Sequence, residues 1–242
     1  MPEGEIQLRG LAARAYREFN DAADFVWKTP EFIEEQTRLE LQKLRDYFPM
    51  TGDKDEDARR LEMRDYRWTH EERKLKRTFP YLLASGNLFT AISLFETYCL
   101  MLCKELEQAT GIMIAGVTGN GLGRLREHMS LAGINSDLAP FKSEVSAAIR
   151  IRNCLFHASG ILGWSREEAE LRRIVSSASF LSPEHRSHRR NLEESADEVA
   201  IVSGPLGDRI QINNMYSFLV LYYLRDNFVG LYQSSLLSND DA

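Results

Sequence analysis

Asn87–Gln108, NLFTAISLFETYCLMLCKELEQ, constrains this chain more than any other segment, because apolar residues cover nearly every side of the helix it forms. A helix that is apolar all round has to be enclosed, so the rest of the chain must supply helices to wrap it. Amphipathic material is present on both sides. Glu5–Trp27 places Leu8, Leu11, Ala15, Phe19, Ala22, Ala23 and Val26 at helical spacing. A second helix is expected to open at Pro30, with Glu31, Glu34 and Glu35 suiting its dipole, and to run through Leu41, Leu44 and Phe48. The polar MTGDKDED segment reads as a loop, and DARRLEMRDYRWTHEERKLKR as a charged helix with a solvated face.

Past the central helix, GVTGNGLG is a Gly-rich connection to a short helix over Arg124–Leu131. A turn around Gly133–Pro140 and a helix over Phe141–Phe156 follow. Residues 181–198 carry little apolar content and read as an exposed loop. EVAIVSG and DRIQI flank Gly204-Pro205-Leu206-Gly207, the pattern of a β-hairpin near 198–212, and a last helix spans Asn213–Leu237. The expected fold is mostly α: a helical bundle over 79–242 with a small C-terminal β-hairpin, preceded by an N-terminal helical extension over 1–78.

The 30 basic and 36 acidic residues give a net charge of −6, which excludes a chain coated for polyanion binding; any nucleic-acid contact must be local. Three cysteines, an odd number in apolar helical contexts, suit a reduced, cytoplasmic protein. MPEGEIQLRG has no basic region followed by an apolar core, and no apolar run is expected to reach the roughly 18 residues of a membrane span.

Chemistry concentrates in Arg152-Asn153-Cys154-Leu155-Phe156-His157 at the end of the Phe141 helix. Asn153 and His157, four apart, share a helical face, and Arg152 is long enough to reach the same place. An imidazole that changes charge near neutral pH, a permanent planar cation and an orienting amide are what metal-free phosphodiester cleavage needs. Glu96, a carboxylate on a very apolar helix, needs a partner, and an Arg of the motif helix is the expected one. Between 141 and 190, nine Lys or Arg stand against five Glu, so Arg150, Arg172 and Arg173 are candidate phosphate contacts. Gly119-Asn120-Gly121-Leu122-Gly123 lacks the Lys-Ser/Thr of a phosphate loop, and His185 and His188 lack a third metal ligand. Cys99 and Cys103, one turn apart, read as core packing.

The hexapeptide resembles the Arg-x4-His signature of HEPN domains, and its setting is similar too: GNGLGRLREHMSLAGIN, then IRIRNCLFHASGIL, then a hairpin and a closing helix. The likeness covers roughly Phe79–Leu237. It implies a bundle that pairs as a symmetric homodimer and cuts RNA at a composite cleft with neither metal nor other cofactor. His157 would be the general acid or base, Arg152 would stabilise charge on the phosphorane, and Asn153 would orient His157 or the scissile phosphate. The substrate's 2′-OH would attack, leaving a 2′,3′-cyclic phosphate. A toxin or phage-defence effector, with an antitoxin or regulatory protein as partner, is the implied setting. Many members carry a modifiable Tyr two residues after the His, where this chain has Ser159. The alternative is a catalytically silent HEPN-like interaction module that binds its partner through residues 1–78. Because the motif reads as a polar helix end, replacing Arg152 or His157 by Ala is expected to leave folding nearly intact.

Overall fold

A computed structural model describes residues 10–134, 141–190 and 198–235. The molecule is mostly helical with one two-stranded antiparallel hairpin. Its centre is α3, Phe79–Thr110, packed against α1, Gly10–Tyr47, and α8, Asn214–Gln233. Ala84, Leu88, Ile92, Phe95, Cys99, Leu102 and Leu106 of α3 are fully buried, as its all-round apolar sequence requires. Phe19 of α1, Tyr98 of α3 and Phe228 of α8 meet there, with ring centroids 5.9 Å and 5.3 Å from Tyr98.

The break expected at Pro30 does not occur, since α1 runs through it. Proline supplies no N–H, so the carbonyl of Val26 loses its helical donor. The Asn214 amide replaces that donor at 2.6 Å, the Thr29 hydroxyl adds a second bond at 3.1 Å, and Asn87 fixes Asn214 by donating to its Oδ1 at 2.8 Å. Three helices are thereby tied together where one would otherwise fail.

Beyond Pro30, α1 pairs with α2, Lys54–Arg73, to form an arm. No residue of α2 is buried. The arm is held by guanidinium stacking, Arg45 over Trp68 at 5.2 Å and Arg67 over Phe48 at 5.7 Å, and Asp53 caps α2 by accepting from the amides of Asp55 and Glu56. A π-helical turn, Lys74–Thr78, joins α2 to α3 without interruption. The boundary expected after residue 78 falls at this turn, but Ala15, Phe19, Ala23 and Val26 of α1 share the core of the bundle. Among the described residues, it is the arm that stands apart.

The continuous helix Lys54–Thr110 does contain an 18-residue window apolar enough to cross a membrane by length and composition, contrary to the sequence expectation. Of that window, 44% is buried inside the bundle, where α3 is the core helix.

The remaining helices are α4, Gly121–Leu131; α5, Ser143–His157; α6, Glu168–Ser176; and α7, Pro183–Arg190. The last replaces part of the loop expected at 181–198: Pro183 occupies the first helical position, and Ser182 caps the turn by accepting from the His185 amide at 3.2 Å. Residues 135–140 of the expected Gly133–Pro140 turn, and 191–197, lie outside the described residues. The hairpin forms as expected, β1, Val199–Gly204, against β2, Gly207–Ile212, with Val199 opposite Ile212 and Pro205-Leu206 at the tip. Ile210 N–H donates to Gly160 O at 2.9 Å, fixing the hairpin to the end of α5.

Candidate functional site

The sequence after α5 forces a sharp exit. Ser159 and Gly160 both adopt left-handed φ, 51° and 77°, so that Gly160 N–H reaches back to Cys154 O at 3.0 Å and closes the helix end. A Cβ at Gly160 would sit 3.0 Å from Ile210 O, so only glycine admits the hairpin this closely. This turn fixes where the final turn of α5 presents Asn153 and His157.

Arg152 points towards α3. Its Nη2 donates to Glu96 Oε1 at 2.5 Å, and its guanidinium lies 5.5 Å from the centre of the Phe89 ring. Phe89 and Glu96 are seven residues apart on α3, hence on one face, and hold the cation from two sides. The Arg152 side chain is only 16% exposed, that of Glu96 37%, and Arg152 Nε has no hydrogen-bond partner. The pairing expected for Glu96 is therefore with the motif arginine itself.

His157 behaves differently. It is exposed, and its ring meets Phe156 edge-on at 4.8 Å. Asn153, half-buried, occupies the helical position one turn before it. The end of α5 thus offers a fixed, partly desolvated cation and an accessible imidazole that can accept or donate a proton.

The three other arginines do not join this group as free charges. Arg150 is bound to Glu167, Arg172 to both Glu168 and Asp208 at 2.9 Å, and Arg173 to Glu170 at 2.7 Å. Hydrogen bonds from Arg173 hold the Glu170 carboxyl below its usual range, and those from Ser203 and Arg172 do the same for Asp208. All three candidate phosphate contacts are therefore held by carboxylates.

Comparison with protein-family models, curated proteins and solved structures returns no match to this chain.

Of the two candidate metal-binding histidines, His188 is exposed and His185 has structural partners. His185 Nδ1 lies 2.8 Å from Tyr223 Oη and 3.0 Å from Ser182 Oγ, inside the contact between α7 and α8. Among the described residues, no group of three or more His, Cys, Asp or Glu is placed to hold a metal ion. Cys99, Cys103 and Cys154 are buried; burial pushes the Cys103 thiol up to about 12 and the other two above their ordinary value. Gly119–Gly123 forms a plain entry to α4. Sequence reasoning missed Phe89 and Phe156, whose tilted rings meet with centroids 4.7 Å apart, the first beneath the Arg152 guanidinium and the second against the His157 ring. The one available signal was the seven-residue spacing of Phe89 and Glu96, and in so apolar a helix it is hidden among many such spacings.

Proposed function

We propose that the protein is a metal-independent endoribonuclease of the HEPN type. The observation supporting this is the division of labour at the end of α5, where Arg152 is immobilised by Glu96 and Phe89 while His157, just over one turn on, is open to a substrate. A phosphodiester placed there would be offered a cation fixed in orientation for the charge of the phosphorane and an exposed imidazole for proton transfer. The substrate's 2′-oxygen bonds to phosphorus and its proton passes to a base. The bond from phosphorus to the 5′-oxygen breaks, and that oxygen takes a proton from an acid. The products are a 2′,3′-cyclic phosphate and a 5′-hydroxyl. One imidazole cannot be base and acid in a single step, so the reading includes a two-fold dimer that supplies a second His157 and Arg152. Cytoplasmic residence, and service as a toxin or defence effector held by a partner protein, belong to the same reading.

The test is incubation of the purified protein with mixed RNA in EDTA, beside His157→Ala. Cleavage that persists with chelator, yields 2′,3′-cyclic ends and vanishes in the variant is expected. Products with 5′-phosphates, or activity lost to EDTA, would overturn the mechanism. The silent interaction module is the second reading, favoured by one observation: Arg150, Arg152, Arg172 and Arg173 all carry carboxylate partners. Absence of any RNA cleavage by a dimeric preparation selects it.

A further inference from the structure

The cations that the sequence offered as phosphate contacts are neutralised, but another set leads away from His157. Two residues past it, the Ser159 carbonyl accepts from Arg209 Nη2 at 3.0 Å. The Arg209 guanidinium lies 5.6 Å from the Tyr81 ring centre, with Nη2 3.4 Å from the Tyr81 hydroxyl. Tyr81 in turn helps line a cleft of about 470 Å³ between the hairpin and the root of the arm, whose walls include Lys76, Arg77, Pro80, Val202 and Gln211. Lys76 is shared with Glu72 at 2.6 Å, whereas neither Arg77 nor Arg209 has a carboxylate within ion-pair distance among the described residues. Arg209 Nε, buried, has no hydrogen-bond partner either.

We propose that this cleft, entered across Arg209 and Tyr81, binds the phosphate backbone of an unpaired RNA strand whose scissile bond lies at His157. This rests on the nuclease reading above and adds to it a substrate class and a direction of approach. Charge selects a polyanion, because the Arg77 guanidinium in the cleft wall and the Arg209 guanidinium beside Tyr81, neither held by a carboxylate, gain most from phosphate, which accepts their forked donors. The aromatic wall selects nucleic acid over an acidic peptide, since a base has a flat face to lay against a ring. Contact with the turn that follows His157 makes cleft and site parts of one path.

The experiment measures fluorescence anisotropy of a labelled, uncleavable 2′-O-methyl strand of about 12 nucleotides, within the span that such grooves cover. Binding to the full chain is titrated over a range of salt. Arg77→Gln, an exposed position, is compared with Arg38→Gln, which changes net charge equally but lies on the arm and is paired with Glu35. Expected are about fivefold weaker binding by Arg77→Gln and a salt slope shallower by about 0.7, with Arg38→Gln like the parent. A parent that cuts RNA in EDTA but whose binding ignores Arg77 overturns the track and leaves the nuclease standing. A parent that neither binds nor cuts overturns both. Displacement of the strand by poly-glutamate at matched charge concentration overturns the nucleic-acid assignment in favour of an acidic protein partner.

Discussion

Truncating Arg152 should destabilise the protein, contrary to what a polar helix end implies. With 16% of its side chain exposed and Nε unpartnered, the residue is closer to a buried cation than to a surface one. Exposed ion pairs contribute about 0.2 to 1 kcal/mol, whereas removing one partner of a buried pair costs about 3 to 5 kcal/mol. With Glu96 at 37% exposure, the pair lies between these limits. Glu96→Ala strands the guanidinium and should cost about 2 kcal/mol. Arg152→Ala also loses the stacking on Phe89 and the packing of its methylene stem, and should cost about 2 to 3 kcal/mol. The double variant leaves no charge behind, so the two losses should fall short of adding by about 1 to 1.5 kcal/mol. Urea unfolding followed by circular dichroism at constant m supplies each value, with His157→Ala within about 0.5 kcal/mol of the parent as the contrast. If Arg152→Ala falls inside that same margin, the Glu96 pair is an ordinary surface contact and the claim of a gripped arginine fails. The outcome also governs any cleavage assay, because loss of activity in Arg152→Ala has to be corrected for the fraction folded.

Ser159→Gly should raise stability by about 1 kcal/mol, because φ of 51° is costly for a residue with a Cβ; that corresponds to about 2 to 4 °C in Tm for a chain this size, and a lowered Tm would show that the serine side chain secures the turn. The three cysteines, buried and with thiol pKa values displaced upward, should resist an aromatic disulfide reagent at pH 8 in the folded protein and react in guanidinium; fast labelling of the native state would contradict their placement.

How much of this could be read from the chain depended on whether the decisive interactions were local. The enclosure of α3 and the hairpin at 199–212 were legible because periodicity and turn chemistry are written in neighbouring residues. Continuity of α1 through Pro30 was not, because the donor that rescues Val26 O comes from Asn214, which is 188 positions away. Helix α7 was hidden by its composition: PEHRSHRR has little apolar content, and its anchorage comes from Tyr223 on another helix. At the candidate site, the union of Arg152 with Glu96 followed from asking what a carboxylate in an apolar helix requires. The neutralisation of Arg150, Arg172 and Arg173 did not, since a tally of charge along a segment says nothing about which side chains face each other.

The π-helical turn at Lys74–Thr78 also sets a rule about length. Such a turn takes up roughly one residue more than an α-turn, and each residue of helix rotates the face by about 100°. Arm and bundle, although parts of one rod from Lys54 to Thr110, are therefore out of phase, and the offset decides which way the arm's aromatic stacks face. Deleting one residue there would restore uniform winding and swing α2 away from α1, breaking the stacks of Arg45 on Trp68 and Arg67 on Phe48. The same deletion at the exposed tip near Gly52 would shorten a loop and re-aim nothing. Among relatives of this chain, changes in arm length should collect at the tip, while the count of residues between Arg73 and Phe79 stays fixed.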